Sequence, residues 1–194
     1  MNVLGQFETA ITENIPLKIF VIDSDVRICV DLKKLNQSVE RGRYVIPTVD
    51  EIVHQLRGSS VFSKLDAASG FWQIPLDPET AKLTTFITPF GRYFMKRLPF
   101  GISSAPKIFQ RTMTELLRGI DGVICYSDDI LCHTYTMEEH EMPLGRVFKR
   151  LKEVGLQLNP EKCEYRKSEI PSWDISSAKI VFVLMTQRSQ QWST

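Results

Sequence analysis

Cysteine and histidine are scarce in this chain, with 4 and 3 among 194 residues, and neither clusters. Cys29, Cys125, Cys132 and Cys163 lack the paired close spacing of a zinc site or a disulfide framework. Three of them stand in apolar, strand-like contexts, so they read as reduced structural thiols. His54, His133 and His140 are scattered and read as surface or packing residues rather than metal ligands. No apolar run reaches bilayer length, so no membrane partner is expected. The N-terminus lacks the basic-then-apolar pattern of a secretory signal, so export is not expected. Internal repeats and low-complexity linkers are also missing, and the length allows one domain or little more. The formal charge is only +1, which leaves any affinity for nucleic acid to local clusters rather than a global field. Basic residues do gather at Lys33-Lys34, at Arg41 and Arg43, at Lys96-Arg97, at Lys107 and Arg111, and at Lys149-Arg150 with Lys152, often beside Tyr44, Tyr93 or Phe94.

What is present is a pair of acids framed by apolar runs. Gly122-Val123-Ile124-Cys125-Tyr126-Ser127-Asp128-Asp129-Ile130-Leu131 reads as a β-hairpin whose tip carries carboxylates. Side chains alternate along a strand, so Asp128 and Asp129 are expected to point to opposite faces. A second apolar strand, Val61-Phe62-Ser63-Lys64-Leu65, ends on Asp66 and is followed by small residues and aromatics. Two carboxylates about 4 Å apart at an effective dielectric near 20 repel by about 4 kcal/mol, so a convergence of Asp66 with Asp128 requires a cation. Magnesium fits, being hard and commonly held by one or two carboxylates plus substrate phosphates.

Elsewhere, Thr48 to Glu51 forms a capping box opening a helix that carries Ile52, Val53 and Leu56 and ends at Gly58. Strands are predicted over Ser60 to Asp66, Phe71 to Leu76, Thr84 to Ile87 and Gly91 to Arg97, with Asp77-Pro78-Glu79 as a turn. Pro106 opens a helix with Ile108, Phe109, Met113, Leu116 and Leu117 on one side. A further helix is predicted from Pro143 to Val154, with Val147, Phe148, Leu151 and Val154 inward and Gly155 as its stop. The class is mixed α/β (α+β), a sheet backed by helices.

From about Val26 to Ser168 the chain resembles the reverse transcriptase domain of gypsy-type LTR retrotransposons, part of a pol polyprotein. Five blocks carry the resemblance in the family's order. They are Arg27 to Asn36, a fingers strand and its turn; Phe62 to Asp66; Leu98 to Pro106 with Phe109-Gln110; Tyr126-Ser127-Asp128-Asp129; and Gly155 to Asn159 with Lys162-Cys163. Singly, Asp66 reads as a helix cap, Arg27 as a surface charge and Phe71 as a core ring. Together, in order, those plain readings lose.

The resemblance implies a polymerase palm with a split β-α-β, ferredoxin-like core and partial fingers. It also implies RNA- or DNA-templated addition of deoxynucleoside triphosphates to a primer by two-metal nucleotidyl transfer. Asp66, Asp128 and Asp129 are then catalytic, and with the Ala67 carbonyl they bind two magnesium ions, or manganese in their place. Arg27, Phe71, Phe100 and Gly101 are nucleotide-binding residues, while Tyr126, Ser127, Gln110, Lys107 and Arg111 contact template and primer. Cytoplasmic placement is implied by the family, with the nucleus as the alternative.

Three departures stand beside these matches. Ser127 occupies a position usually apolar or bulky. Residues 1–25 lack the family's basic, glycine-bearing fingers hairpin; they resemble a remnant of the protease–polymerase connecting region, and Met1 to Ala10 with Ile19 to Ile22 look like two strands and a turn. From 171 to 194 the primer-grip block is replaced, and a neighbouring reading frame over Ser172 to Ile175 can spell Phe-Leu-Gly-His-Ile. A one-base deletion near Pro171 is the hypothesis, which would leave 26–170 as fingers and palm without thumb, ribonuclease H or integrase regions. Two rival readings follow: an inactive retroelement remnant that at most binds nucleic acid, and an unrelated metal-carboxylate protein.

Overall fold

The computed structural model describes residues 17–22, 25–39 and 44–170. In chain order the elements are strands β1 (Leu17–Ile22) and β2 (Asp25–Val30), helices α1 (Lys33–Ser38) and α2 (Val49–Leu56), strand β3 (Val61–Asp66), helix α3 (Pro78–Leu83), strands β4 (Phe86–Thr88) and β5 (Gly91–Tyr93), helix α4 (Ala105–Leu116), strands β6 (Val123–Tyr126) and β7 (Asp129–Thr134), helix α5 (Met137–Val154) and strand β8 (Glu164–Lys167). They form two units, Met1–Tyr44 with Ser69–Arg111, and Val45–Ala68 with Thr112–Thr194. Among the described residues no helix is long and apolar enough to cross a membrane.

The second unit is built on an antiparallel sheet in the order β6-β7-β3-β8. Taken in chain order, the first and third of these strands are central and the second and fourth are edges, which is the split β-α-β arrangement of a ferredoxin-like core. Register and alternation divide its side chains between two faces. Phe62, Ile124 and Leu131 lie on one face and pack with Ile52, Val53 and Leu56 of α2. That helix opens on the predicted capping box, where Glu51 N–H donates to Thr48 Oγ1 and Thr48 N–H donates to Glu51. The other face carries Ser63 and Thr134 toward α5, where the fully buried His140 is gripped from both ring nitrogens, Nε2 lying 2.7 Å from Ser63 Oγ and Nδ1 2.9 Å from Thr134 Oγ1. Thr134 Oγ1 donates its proton to the Thr136 carbonyl, and Ser63 Oγ accepts from Arg166 N–H. With those protons committed, His140 carries its own on Nδ1 and accepts from Ser63 on Nε2. Buried histidine is therefore a satisfied strut between sheet and helix, as the packing reading expects.

The first unit holds the β1–β2 hairpin, with Leu17 opposite Val30, and the short β4–β5 hairpin. The N-terminal segment thus supplies a paired hairpin despite lacking the basic and glycine residues of the family pattern, and Ile19 to Ile22 form part of one of its strands. Met1 to Ala10, Arg41, Arg43 and the tail from 171 to 194 lie outside the described residues.

Several expectations need correction. The predicted strand from Phe71 to Leu76 is a 3₁₀ turn over Gly70–Gln73, entered through Ser69 in the left-handed region at φ 50°, with one isolated bridge from Pro75 to Arg97. Asp77-Pro78-Glu79 does not merely turn: Asp77 caps α3 by accepting from Glu79 and Thr80, with Pro78 at the first helical position, where its missing N–H costs nothing. The turn after β2 is the helix α1. Helix α5 begins at Met137 rather than Pro143, because Thr136 caps it by accepting from Glu139 N–H. Phe148 and Val154 are 38% and 56% exposed rather than inward, Phe148 lying beside Tyr165.

Candidate active site

Central strand β3 delivers Asp66 to the end of the sheet, and the β6–β7 hairpin folds over beside it. Asp66 stands in register with Asp129, so these two share a face, which is also the face of the α2 core. The ladder continues past Asp66: Ala67 N–H donates to the Asp128 carbonyl at 2.9 Å. Tyr126 pairs with Asp129, which leaves Ser127 and Asp128 as a two-residue turn, with Ser127 at φ 52°. Here lies a physical reading of the serine: its backbone sits where a bulky or β-branched side chain is penalised.

A third segment closes on the same point. Asn159 N–H donates to the Asp66 carbonyl at 2.9 Å, Ala68 N–H to Gln157 at 3.0 Å, and Asp66 N–H to Cys163 Sγ at 3.5 Å. The two acid-bearing blocks and the Gly155-to-Cys163 block, far apart in sequence, therefore meet at one sheet end.

Electrostatics here are set by burial. Asp129 is 6% exposed and is met by Lys64, whose Nζ lies 3.1 Å from Oδ2. Asp128 Oδ1 is screened from solvent. Burial, followed by the charges of Asp128 and Asp129, pushes the Cys125 thiol up to about 12, and burial does the same for Cys132. Both thiols are held protonated at neutral pH, in keeping with structural cysteines.

Asp66 and Asp128 offer only oxygen donors, the chemistry of a hard cation such as magnesium. Among the described residues no three His, Cys, Asp or Glu side chains form a ready metal cage.

The remaining predicted residues belong to the first unit. Phe71 packs on Phe100 and Phe109 with ring centroids 5.2 and 5.6 Å apart. Gly101 has φ 97°, and an added Cβ would meet the Val30 carbonyl at 3.4 Å. Gln110 is buried and Arg111 exposed. Arg27 stands in β2 opposite Phe20. Two residues escaped the sequence reading as individuals. Lys64 holds Asp129, and its signal was its place two residues before Asp66. Asn36 clamps the loop after Phe100, donating to the Gly101 carbonyl at 2.7 Å and accepting from Ser103 N–H at 2.8 Å.

Comparison with known proteins meets this geometry. A family model described as reverse transcriptase (RNA-dependent DNA polymerase) matches residues 22–182. The retrovirus-related Pol polyprotein from transposon 297 of Drosophila melanogaster is 39% identical over 145 residues, covering 74% of this chain and 14% of that polyprotein. The enzymatic polyprotein of cauliflower mosaic virus, strain Strasbourg, is 36% identical over 145 residues, covering 74% of this chain and 21% of that one. The chain thus spans about a fifth or less of these relatives. Among solved structures, foamy viral protease-reverse transcriptase in complex with double-stranded DNA superposes with TM-score 0.75 at 27% identity, covering 84% of this chain and 29% of that one. The same viral protein in complex with an RNA/DNA hybrid gives TM-score 0.73 at 28% identity, covering 81% of this chain and 21% of that one. The antiparallel sheet with its helices is accordingly a reverse transcriptase palm, and the chain belongs to the reverse transcriptase family, matching the reverse transcriptase portion of retroelement Pol polyproteins.

Proposed function

We propose that this domain extends a primer 3′-hydroxyl with deoxynucleoside triphosphates on an RNA or DNA template, with Asp66 and Asp128 holding the catalytic magnesium ions. The observation that carries this reading is the end of the β3–β7 ladder, where Asp66 stands opposite Asp129 and Ala67 N–H donates to the Asp128 carbonyl, so that the acids of two distant blocks meet at one sheet end. Bound magnesium would activate the attacking hydroxyl and stabilise the leaving pyrophosphate. The chain's own part is positioning: β3 and the hairpin fix the carboxylates, and their backbone bonds hold that geometry. Ala67 is a further candidate donor through its carbonyl, and Asp129 supports the hairpin or adds a third carboxylate. Arg27 suits triphosphate oxygens through its planar fork. Phe71 would crowd the sugar 2′ position, while Phe100 and Gly101 line the nucleotide pocket. Tyr126, Ser127, Gln110, Lys107 and Arg111 would touch primer and template.

The order of the sequence blocks favours the gypsy-type LTR subclass and a cytoplasmic, particle-associated setting, with thumb, ribonuclease H and integrase functions supplied by other parts of the polyprotein. Residues 26–170 are read as fingers and palm, following an atypical segment over 1–25. For 171–194 the reading is a shifted frame, tested by sequencing the parent locus; an intact frame there removes it. A second reading is a binding remnant without turnover. Primer extension with magnesium separates the two: extension that Asp128→Asn reduces by about 100-fold or more supports polymerisation. Salt-sensitive primer-template binding with no extension supports the remnant.

A further inference from the structure

The β4–β5 hairpin is displayed rather than packed. A strand ordinarily buries alternate side chains, yet all three residues of β5 are exposed, and among the described residues β5 pairs only with β4. At the tip, Pro89 and Phe90 make a two-residue turn between Thr88 and Gly91, braced by Thr88 Oγ1, which accepts from Phe90 N–H at 3.1 Å and donates to the Gly91 carbonyl at 3.2 Å. Phe90 is 89% exposed, the most of any large apolar side chain among the described residues, and Tyr93 and Phe94 are each 48% exposed. One exposed ring is ordinary, but three within five residues of a braced hairpin call for a partner.

The charge around these rings selects that partner. From Thr80 to Thr114 the chain carries Lys82, Arg92, Lys96, Arg97, Lys107 and Arg111 and no Asp or Glu, although its net charge is only +1. The acids just before that stretch are committed, Asp77 to capping α3 and Glu79 to an ion pair with Lys82 at 2.8 Å. Arg92 and Lys96 are exposed and interleave with Phe90, Tyr93 and Phe94 along the chain. Cations interleaved with ring faces fit a flexible polyanion whose own rings are open to contact, which is single-stranded nucleic acid. A duplex turns its base faces inward, and an acidic peptide offers charge with few planar groups.

We propose that the β4–β5 hairpin binds single-stranded nucleic acid without regard to sequence, unpaired bases stacking on Phe90, Tyr93 and Phe94 while Arg92 and Lys96 meet the phosphates. The inference rests on the polymerase reading above and deepens it: the strand is then the template ahead of the primer end, where bases are still unpaired.

The test uses the full chain and a fluorescein-labelled oligothymidylate of about 20 nucleotides, followed by anisotropy in EDTA so that neither metal nor turnover enters. Phe90→Ala is expected to weaken binding by about fivefold or more, and Phe90→Leu by as much, since leucine keeps apolar area without a ring face; Phe90→Trp is expected to bind at least as tightly as the unaltered chain. Arg92→Gln/Lys96→Gln is expected to weaken binding and to reduce the slope of log affinity against log salt by about 1.4, two phosphates at about 0.7 each. Every variant is expected to keep the urea midpoint of the unaltered chain, because these side chains are exposed. An affinity that Phe90→Ala leaves unchanged, or Phe90→Leu binding as tightly as phenylalanine, would overturn the proposal. So would an equal Phe90→Ala loss on a blunt duplex, or a loss confined to phosphatidylserine vesicles, which would make the hairpin a lipid contact. Primer extension with magnesium separates the two readings: hairpin-dependent binding without extension sinks the polymerase and leaves the platform, whereas extension with hairpin-independent binding does the reverse.

Discussion

Acid should destabilise this palm through a single strand residue, His133. His133 lies in β7 with its ring Nδ1 2.9 Å from Ser59 Oγ, and its backbone N–H donates to the Gly122 carbonyl at 2.8 Å. Burial, then the neighbouring His140, lowers its pKa from 6.5 to about 4. Because the folded value lies below the unfolded one, the unfolded chain binds the proton first. Stability is therefore complete above about pH 6.5 and is lost as pH falls toward about 4. A fall from 6.5 to about 4, at about 1.36 kcal/mol for each tenfold change in proton affinity, corresponds to about 3 kcal/mol, a large share of the stability of a small domain. His140, whose pKa burial also lowers, adds in the same direction. Urea unfolding between about pH 7.5 and 4.5, with His133→Asn alongside, isolates the term. The difference between the two proteins should shrink steadily as pH falls through that window. A difference that stays flat, or an unaltered chain that gains stability on acidification, would refute the reasoning.

Two further outcomes follow from the same unit. Gly122→Ala should cost at least about 2 kcal/mol, since φ is 73° and the new Cβ would sit 2.6 Å from the His133 carbonyl oxygen, whereas Gly119→Ala, at φ 80° with nothing within 4 Å, should cost only about 1 kcal/mol; chemical denaturation of both variants checks the contrast. Thr48→Ala removes one half of the α2 capping box and should lower stability by about 1 kcal/mol, read as a shift in urea midpoint without change in slope.

The acid-bearing hairpin was legible because its signals are local: apolar runs of strand length on either side of a tight turn. The capping box of α2 is local in the same sense, four consecutive residues ending in Glu51. Asp66 was legible only with the ordered blocks beside it, since a strand ending on an acid has many ordinary explanations. Lys64 escaped notice because its role is made across strands, through a register that no window of consecutive residues contains. The same holds for Asn36, whose partners lie at Gly101 and Ser103. Misread elements have local causes. Phe71 to Leu76 has strand-like composition, but Ser69 in the left-handed region and the small Gly70 wind the chain into a 3₁₀ turn. At α5, Pro143 resembles a helix start, but Thr136 and Glu139 carry the capping signature; the proline is tolerated inside the helix, itself buried with Leu144 and Val147. Phe148 shows the limit of periodicity, which ranks faces without setting how much of a ring the sheet covers.

The central claim is that Asp66 and Asp128 share a divalent cation. Crystals grown with manganese, primer-template and a deoxynucleotide measure this directly through anomalous scattering. The account predicts a peak about 2.1 Å from carboxylate oxygens of both residues. Peaks bound to neither acid, or the two carboxylates turned to opposite flanks of the sheet, would contradict it.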